Sequence, residues 1–226
     1  MSVEYRGGEV FEMNLKIKWL GHASFQIKAE GKTIYVDPYE GEYTEKADLI
    51  LASHSHSDHC DSSKIKKVRK ADTIIFAPED CISMIKGNVK TLKPEEETTV
   101  GNISVKAVEA YNYKRFRSPG TPFHPKGHGV GYLITAEGKT IYHAGDTDFI
   151  SEMRQLGHVD VALLPSGGTY TMDNAEAAEA AIAIDPEIVI PMHCWDTNPE
   201  EFKKEVEAKS NIKVVILNKG EEFQVV

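Results

Sequence analysis

A chain of 226 residues can bury one α/β core and is short for two, and its 41% hydrophobic and 27% charged residues are ordinary for a globular protein. A formal net charge of -9 opposes non-specific binding to nucleic acid or to an anionic membrane, and no run approaches the roughly 18 apolar residues that a spanning helix needs. Three cysteines (Cys60, Cys81, Cys194) imply no disulfide framework, and the start of the chain carries Glu4, Arg6, Glu9 and Glu12 where a signal peptide would be apolar, so a cytoplasmic protein is expected.

In chain order, a strand is expected over 15–20, followed by a hairpin that turns at Glu30-Gly31-Lys32. A buried-type strand at Asp48–Ala52 runs into a polar loop, and Ile65 and Val68 give 62–70 a helical spacing. Strands are expected over 73–77 and 103–109. The first hairpin then recurs: Glu30-Gly31-Lys32-Thr33-Ile34-Tyr35 reappears as Glu137-Gly138-Lys139-Thr140-Ile141-Tyr142, with Phe25 and Ile27 matched by Tyr132 and Ile134. An aspartate follows each copy, Asp37 and Asp146, and Asp160–Leu164 repeats the buried strand. Asp173 with Glu176 reads as a capping box opening a helix to Ile184. A strand at 187–191 follows, then Asn198, Pro199 and Glu201 as N-cap, N1 and N3 of a helix to about Lys209, and strands at 213–217 and 223–226. The repeat predicts a single domain over 1–226 made of two similar halves, with two sheets face to face and helices outside.

Ser53-His54-Ser55-His56-Ser57-Asp58-His59 begins where the buried strand ends, and places three imidazoles and a carboxylate within six residues. Imidazole is largely neutral at pH 7 and can donate a lone pair to a borderline metal such as zinc. Three adjacent histidines have little use in a core, where each would need hydrogen-bond partners. Further candidates are His124 in Phe-His-Pro-Lys-Gly, Asp146 in His-Ala-Gly-Asp-Thr-Asp and His193 at the end of Val-Ile-Pro-Met-His, all at strand ends or in adjacent loops.

These residues carry a resemblance. The chain resembles the metallo-β-lactamase fold superfamily, whose motif is His-x-His-x-Asp-His followed by a later His, Asp and His. It is similar in particular to small single-domain metal-dependent hydrolases that include ascorbate-6-phosphate lactonase-like enzymes. Trp19-Leu-Gly-His-Ala23, Val36-Asp-Pro38, Tyr142-His-Ala-Gly-Asp-Thr147, Gly167-Gly-Thr-Tyr-Thr-Met172 and Ile190-Pro-Met-His193 carry the likeness over nearly the whole chain after about residue 15. It implies a four-layer αββα sandwich with pseudo-twofold halves. It also implies a first metal on His54, His56 and His124, a second on Asp58, His59 and His193, and Asp146 bridging them. Two divalent ions, zinc first with Mn or Fe as alternatives, would activate a shared water and cleave an ester, lactone, amide or phosphoester, with lactones and phosphodiesters favoured. Asp58 would orient that water as well as ligate. The alternative is a non-hydrolytic, metal-binding or redox member of the fold. Redox relatives carry Glu where this chain has His56, and usually add a flavin domain for which there is no room.

Other polar residues have competing readings. His128 could replace His124. His143 is expected at a strand end or behind a ligand, His22 is open between site and scaffold, and Asp37 is expected to fix a ligand histidine. His158 reads as surface, and Cys60 and Cys194 as small buried side chains. The segment 111–128 holds Lys114, Arg115, Arg117 and Lys126 with no acid, so it is expected to flank the mouth and favour an anionic small molecule, unless it is simply a solvated loop. With 166–173, which brings Tyr170 and Thr171, it is expected to select the substrate.

Overall fold

A computed structural model describes residues 3–6, 9–12 and 14–226; β1 (Val3–Arg6) and β2 (Glu9–Glu12) pair antiparallel. The first half holds β3 (Lys16–Gly21), β4 (Ser24–Ala29), β5 (Lys32–Val36), β6 (Ala47–Leu51), α1 (Ser62–Val68), β7 (Arg69–Ala77) and β8 (Val89–Thr91). The second half holds β9 (Glu97–Val100), β10 (Ile103–Ala110), a small hairpin of β11 (Phe116–Ser118) and β12 (Thr121–Pro122), β13 (Gly129–Ala136), β14 (Lys139–His143) and β15 (Val161–Pro165). It continues through α2 (Asn174–Ile184), β16 (Ile188–Met192), α3 (Pro199–Glu207) and β17 (Lys213–Val214). The last strand, β18 (Glu222–Gln224), returns to pair with β3 of the first half.

Two seven-stranded sheets result, ordered β18-β3-β4-β5-β6-β7-β8 and β17-β16-β15-β14-β13-β10-β9. The repeat is structural. β4–β5 and β13–β14 are antiparallel pairs joined at Glu30-Gly31 and Glu137-Gly138, with φ of 52° and 68° in one turn and 52° and 76° in the other. Such left-handed pairs suit the twist of a two-residue hairpin. β6 then lies parallel to β5, and β15 to β14. Asp48 accepts from the Thr33 amide at 2.8 Å, and Asp160 accepts from the Thr140 amide at 2.7 Å.

Side-chain alternation builds the layers. Phe25, Ile27, Ile34, Val36, Leu49 and Leu51 face Val105, Tyr132, Ile134, Ile141 and Leu163 between the sheets. On the outer face of the first sheet Tyr35, Ile50 and Ile75 pack with Ile65 and Val68 of α1. On the outer face of the second, Tyr142, Leu164 and Val189 pack with Ala177 and Ala181 of α2 and Phe202 of α3. Covered on both faces, the central strands read as nearly continuous apolar runs. This is the expected αββα sandwich with pseudo-twofold halves.

The helix starts fall where the capping residues put them. Asp173 accepts from the Glu176 amide, Asn198 from the Glu200 amide, and Asp61 from the amides of Ser63 and Lys64. Several ends differ from expectation, the last strand lying at Glu222–Gln224 and β7 starting already at Arg69, and two differences have a plain cause. α1 stops at Val68 because Arg69 turns extended into β7. The strand expected over 213–217 is regular only at Lys213–Val214; the Val215 amide still reaches Val189, and the chain then leaves to carry β18 to the other sheet. Among the described residues no helix is long and apolar enough to cross a membrane.

Candidate metal centre

β5 and β6 run parallel, as do β14, β15 and β16, so each set delivers its C-terminal loops to one edge of its sheet. Those loops carry Asp37, 53–59, Asp146 and His193. Cross-sheet bonds bring the edges together: the Tyr132 hydroxyl donates to Ala52 O at 2.8 Å, the Val130 amide to Ser53 O at 2.9 Å, and the His193 amide to His22 O at 3.1 Å. The backbone is bent to suit. His22, Asp37, His193 and Trp195 are all left-handed, with φ between 45° and 52°. Such non-glycine conformations cost about 1–3 kcal/mol each and persist where surrounding structure enforces them.

In the first lobe His54 Nε2 lies 3.0 Å from His56 Nδ1, and His124 Nε2 lies 3.2 Å from the same atom. The remaining bonds set the ring tautomers. Asn112 Oδ1 accepts from both the amide and Nδ1 of His124, at 3.0 and 2.7 Å, while Asn112 Nδ2 donates to Asp148 and Tyr170 O. The Ser53 hydroxyl donates to Asp37 and so accepts from His54 Nδ1. His124 and His54 therefore both turn an Nε2 lone pair toward His56.

The second lobe gathers His22, Asp58, His59 and His193, whose ligand atoms all lie within 4.8 Å of one another. Asp146 stands between the lobes. Its Oδ2 is 3.4 Å from His124 Nε2 and 3.1 Å from His193 Nε2, and its Oδ1 is 3.4 Å from His59 Nε2. His59 Nε2 and Asp146 Oδ1 are buried without a hydrogen-bond partner among the described residues. Converging imidazole lone pairs and orphaned buried atoms around a carboxylate fit a cation, and the N/O donor set suits zinc, Mn or Fe.

The electrostatics agree. Burial lowers the pKa of His54 well below its ordinary value, that of His124 to about 4, and that of His56 as well, which keeps these rings neutral. Burial opposes ionisation of Asp146, yet His193 and His59 outweigh it and hold the carboxyl well below the usual range. Burial likewise opposes charge on Asp58, but the His22 hydrogen bond and His59 bring it to about 2. At His59 burial disfavours the cation, and Asp146 and Asp37 reverse this and raise its pKa. The centre thus favours positive charge among ionised carboxylates.

His54, His56, Asp58, His59, His124, Asp146 and His193 therefore come together, joined by His22, whose Nε2 is 3.2 Å from Asp58 Oδ2. Asp37 stands behind His59. In hairpin register Val36 corresponds to His143, so Asp37 corresponds to Ala144, and Asp146 projects two residues further into the centre. His143 is occupied otherwise: Nε2 donates to Ala23 O and Nδ1 accepts from the Gly145 amide. His128 and His158 are exposed, and Cys60 packs under α1.

The basic segment is not a uniform cationic mouth. Lys114 pairs with Glu176, and Arg115 with Asp148 and Glu176, so both are turned to α2 instead of the opening. Arg117 stays exposed and its charge bears on His56. Tyr170 is on the rim, whereas Thr171 is buried. Asn112, Ser53 and Trp195 escaped sequence reading. Ser53 and Trp195 each had a positional signal, one directly before His54 and the other two residues after His193.

Residues 16–193 match the profile of the beta-lactamase superfamily domain. The UPF0173 metal-dependent hydrolase of Methanopyrus kandleri is 34% identical over 239 residues, covering 93% of this chain and 100% of that one. A crystal structure of a Parabacteroides distasonis protein, described as a metal-dependent hydrolase, superposes with a TM-score of 0.84 at 35% identity, covering 94% of this chain and 98% of that one. Igni18, a metallo hydrolase of Ignicoccus hospitalis, does so with a TM-score of 0.76 at 27% identity, covering 94% and 99%.

Proposed function

The chain belongs to the UPF0173 metal-dependent hydrolases of the metallo-β-lactamase superfamily, and from that premise we propose that it cleaves an ester, lactone, amide or phosphoester at two divalent metal ions, zinc first and Mn or Fe as alternatives. The observation that carries this reading is Asp146, a buried carboxylate within 3.4 Å of imidazoles from both lobes. His54, His56 and His124 would hold one ion and Asp58, His59 and His193 the other, with Asp146 shared. Bound there, the ions would lower the pKa of a water toward neutrality and polarise the attacked oxygen.

The protein's own groups do the rest. Asp37, Asn112 and Ser53 hold His59, His124 and His54 with their lone pairs inward. Asp58 is partly exposed and ionised, and its bond to His22 fixes a carboxylate oxygen that can orient water and take a proton. The left-handed backbone at His22 and His193 and their mutual amide bond keep the second lobe in place before substrate arrives.

Metal analysis paired with a panel of lactones and phosphodiesters tests this. About two metal ions per chain are expected, with metal and turnover lost together in His54→Ala and Asp146→Ala. A folded protein that takes up no metal would overturn the reading.

A further inference from the structure

Of the four cations between β10 and β13, the protein neutralises three. Lys114 and Arg115 pair with acids at α2, and Lys126 pairs with Glu152 and Glu109. Arg117 makes no ion pair among the described residues, and its guanidinium carbon lies 5.9 Å from the Phe123 ring centre. A row of rings leads from there to the proposed metal ligands. Phe123 meets Tyr170 edge-on at 4.8 Å, Tyr170 lies 6.0 Å from Trp195, and Trp195 lies 5.7 Å from His193 and 5.4 Å from His22.

The row is held open at a cost. Trp195 is 57% exposed and Tyr170 37%. Trp195 is also held in the left-handed region, at φ 47°. At Gly167 a Cβ would stand 2.4 Å from His193 O and 2.7 Å from Trp195 Cδ1, so this glycine leaves room first for the His193 carbonyl and then for the indole. Exposed aromatics and an unpaired arginine beside a centre of buried ligands are groups whose partner comes from outside the chain.

We propose that Arg117, Phe123, Tyr170 and Trp195 form the wall that recognises substrate, selecting a molecule with an anionic group beside a flat apolar body. The wall takes its orientation from the hydrolytic reading above, since it borders the proposed ligands. Arg117 binds the anion at the His56 side, and the rings stack the apolar body toward His193.

Titration of the metal-loaded protein with phenylphosphonate and methylphosphonate, which share a head group and differ in the ring, tests this by calorimetry and Trp195 fluorescence. Phenylphosphonate should bind about fivefold more tightly, since a stacked ring is worth roughly 1 kcal/mol. Tyr170→Ala and Trp195→Ala should each shrink that ratio, while Trp195→Phe retains most of it. Arg117→Gln should weaken both ligands several-fold at low salt and less at high salt. Equal affinity for the two phosphonates, no binding of either, or an Arg117→Gln protein indistinguishable from the parent would overturn the proposal. Failure of the hydrolytic reading shows separately, as metal-loaded protein that binds phenylphosphonate yet turns over no ester, lactone or phosphodiester.

Discussion

Asp37 Oδ2 accepts the Nδ1 proton of His59 at 2.8 Å, and the same carboxylate takes the amide and hydroxyl of Ser53 at 2.6 Å each. One buried side chain thus orients a proposed ligand of the second metal and, through Ser53, one of the first. In Asp37→Asn one of these donors would face an NH₂ group. Metal affinity should fall about 10- to 100-fold, the usual loss for a group that orients a ligand histidine. Competition with a calibrated chelator measures it; unchanged affinity would remove Asp37 from the site.

Arg115 supports the first lobe from a distance. It pairs with Asp148, which holds Asn112, which in turn holds His124. Arg115 is largely buried and Asp148 fully so. Arg115→Met leaves that carboxylate without its cation and should destabilise the fold by about 3 kcal/mol. Lys114→Gln, at an exposed position, should change stability by less than about 1 kcal/mol. Urea unfolding separates the two.

The repeat supplies an internal control at Tyr35 and Tyr142. The Tyr35 hydroxyl accepts from Gln26 Nε2 at 2.9 Å and donates to Glu45 O at 3.2 Å. The buried Tyr142 hydroxyl has no partner among the described residues, and Leu133 stands at the repeat position of Gln26. Tyr35→Phe should therefore cost about 1–2 kcal/mol in denaturant unfolding, and Tyr142→Phe should be near neutral or stabilising.

Burial of His124 sets a pH dependence. Its folded pKa, about 4, lies below the ordinary 6.5, so between these values the unfolded chain binds more protons. The stability this group contributes is fully present above pH 6.5 and is lost as pH falls toward 4. His59, whose pKa is raised, acts oppositely: its contribution is present below 6.5 and is lost as pH rises through the folded value. Comparing metal-free wild type with His124→Gln isolates the first effect. From pH 7 to 5 the wild type should lose about 2 kcal/mol more than the variant. Parallel melting curves would contradict this.

That these side chains gather at one place was legible in the sequence because much of the cluster is local. His54 to His59 fall in one loop after one strand, and His124, Asp146 and His193 announce themselves by motif. The sandwich was legible too, since an identical hexapeptide brings an identical turn and the same strand order. The supporting residues were not. Asn112 reads as an ordinary loop residue until folding sets it against His124, and His22 reads equally as site or scaffold until it meets Asp58. Charge alone cannot distinguish Lys114, Arg115 and Arg117. What separates them is Asp148 and Glu176, tens of residues away, which claim two of the three. Residue type and short-range spacing settle what a side chain can do; which partner it spends that capacity on is decided by long-range packing, and only the tertiary structure records it.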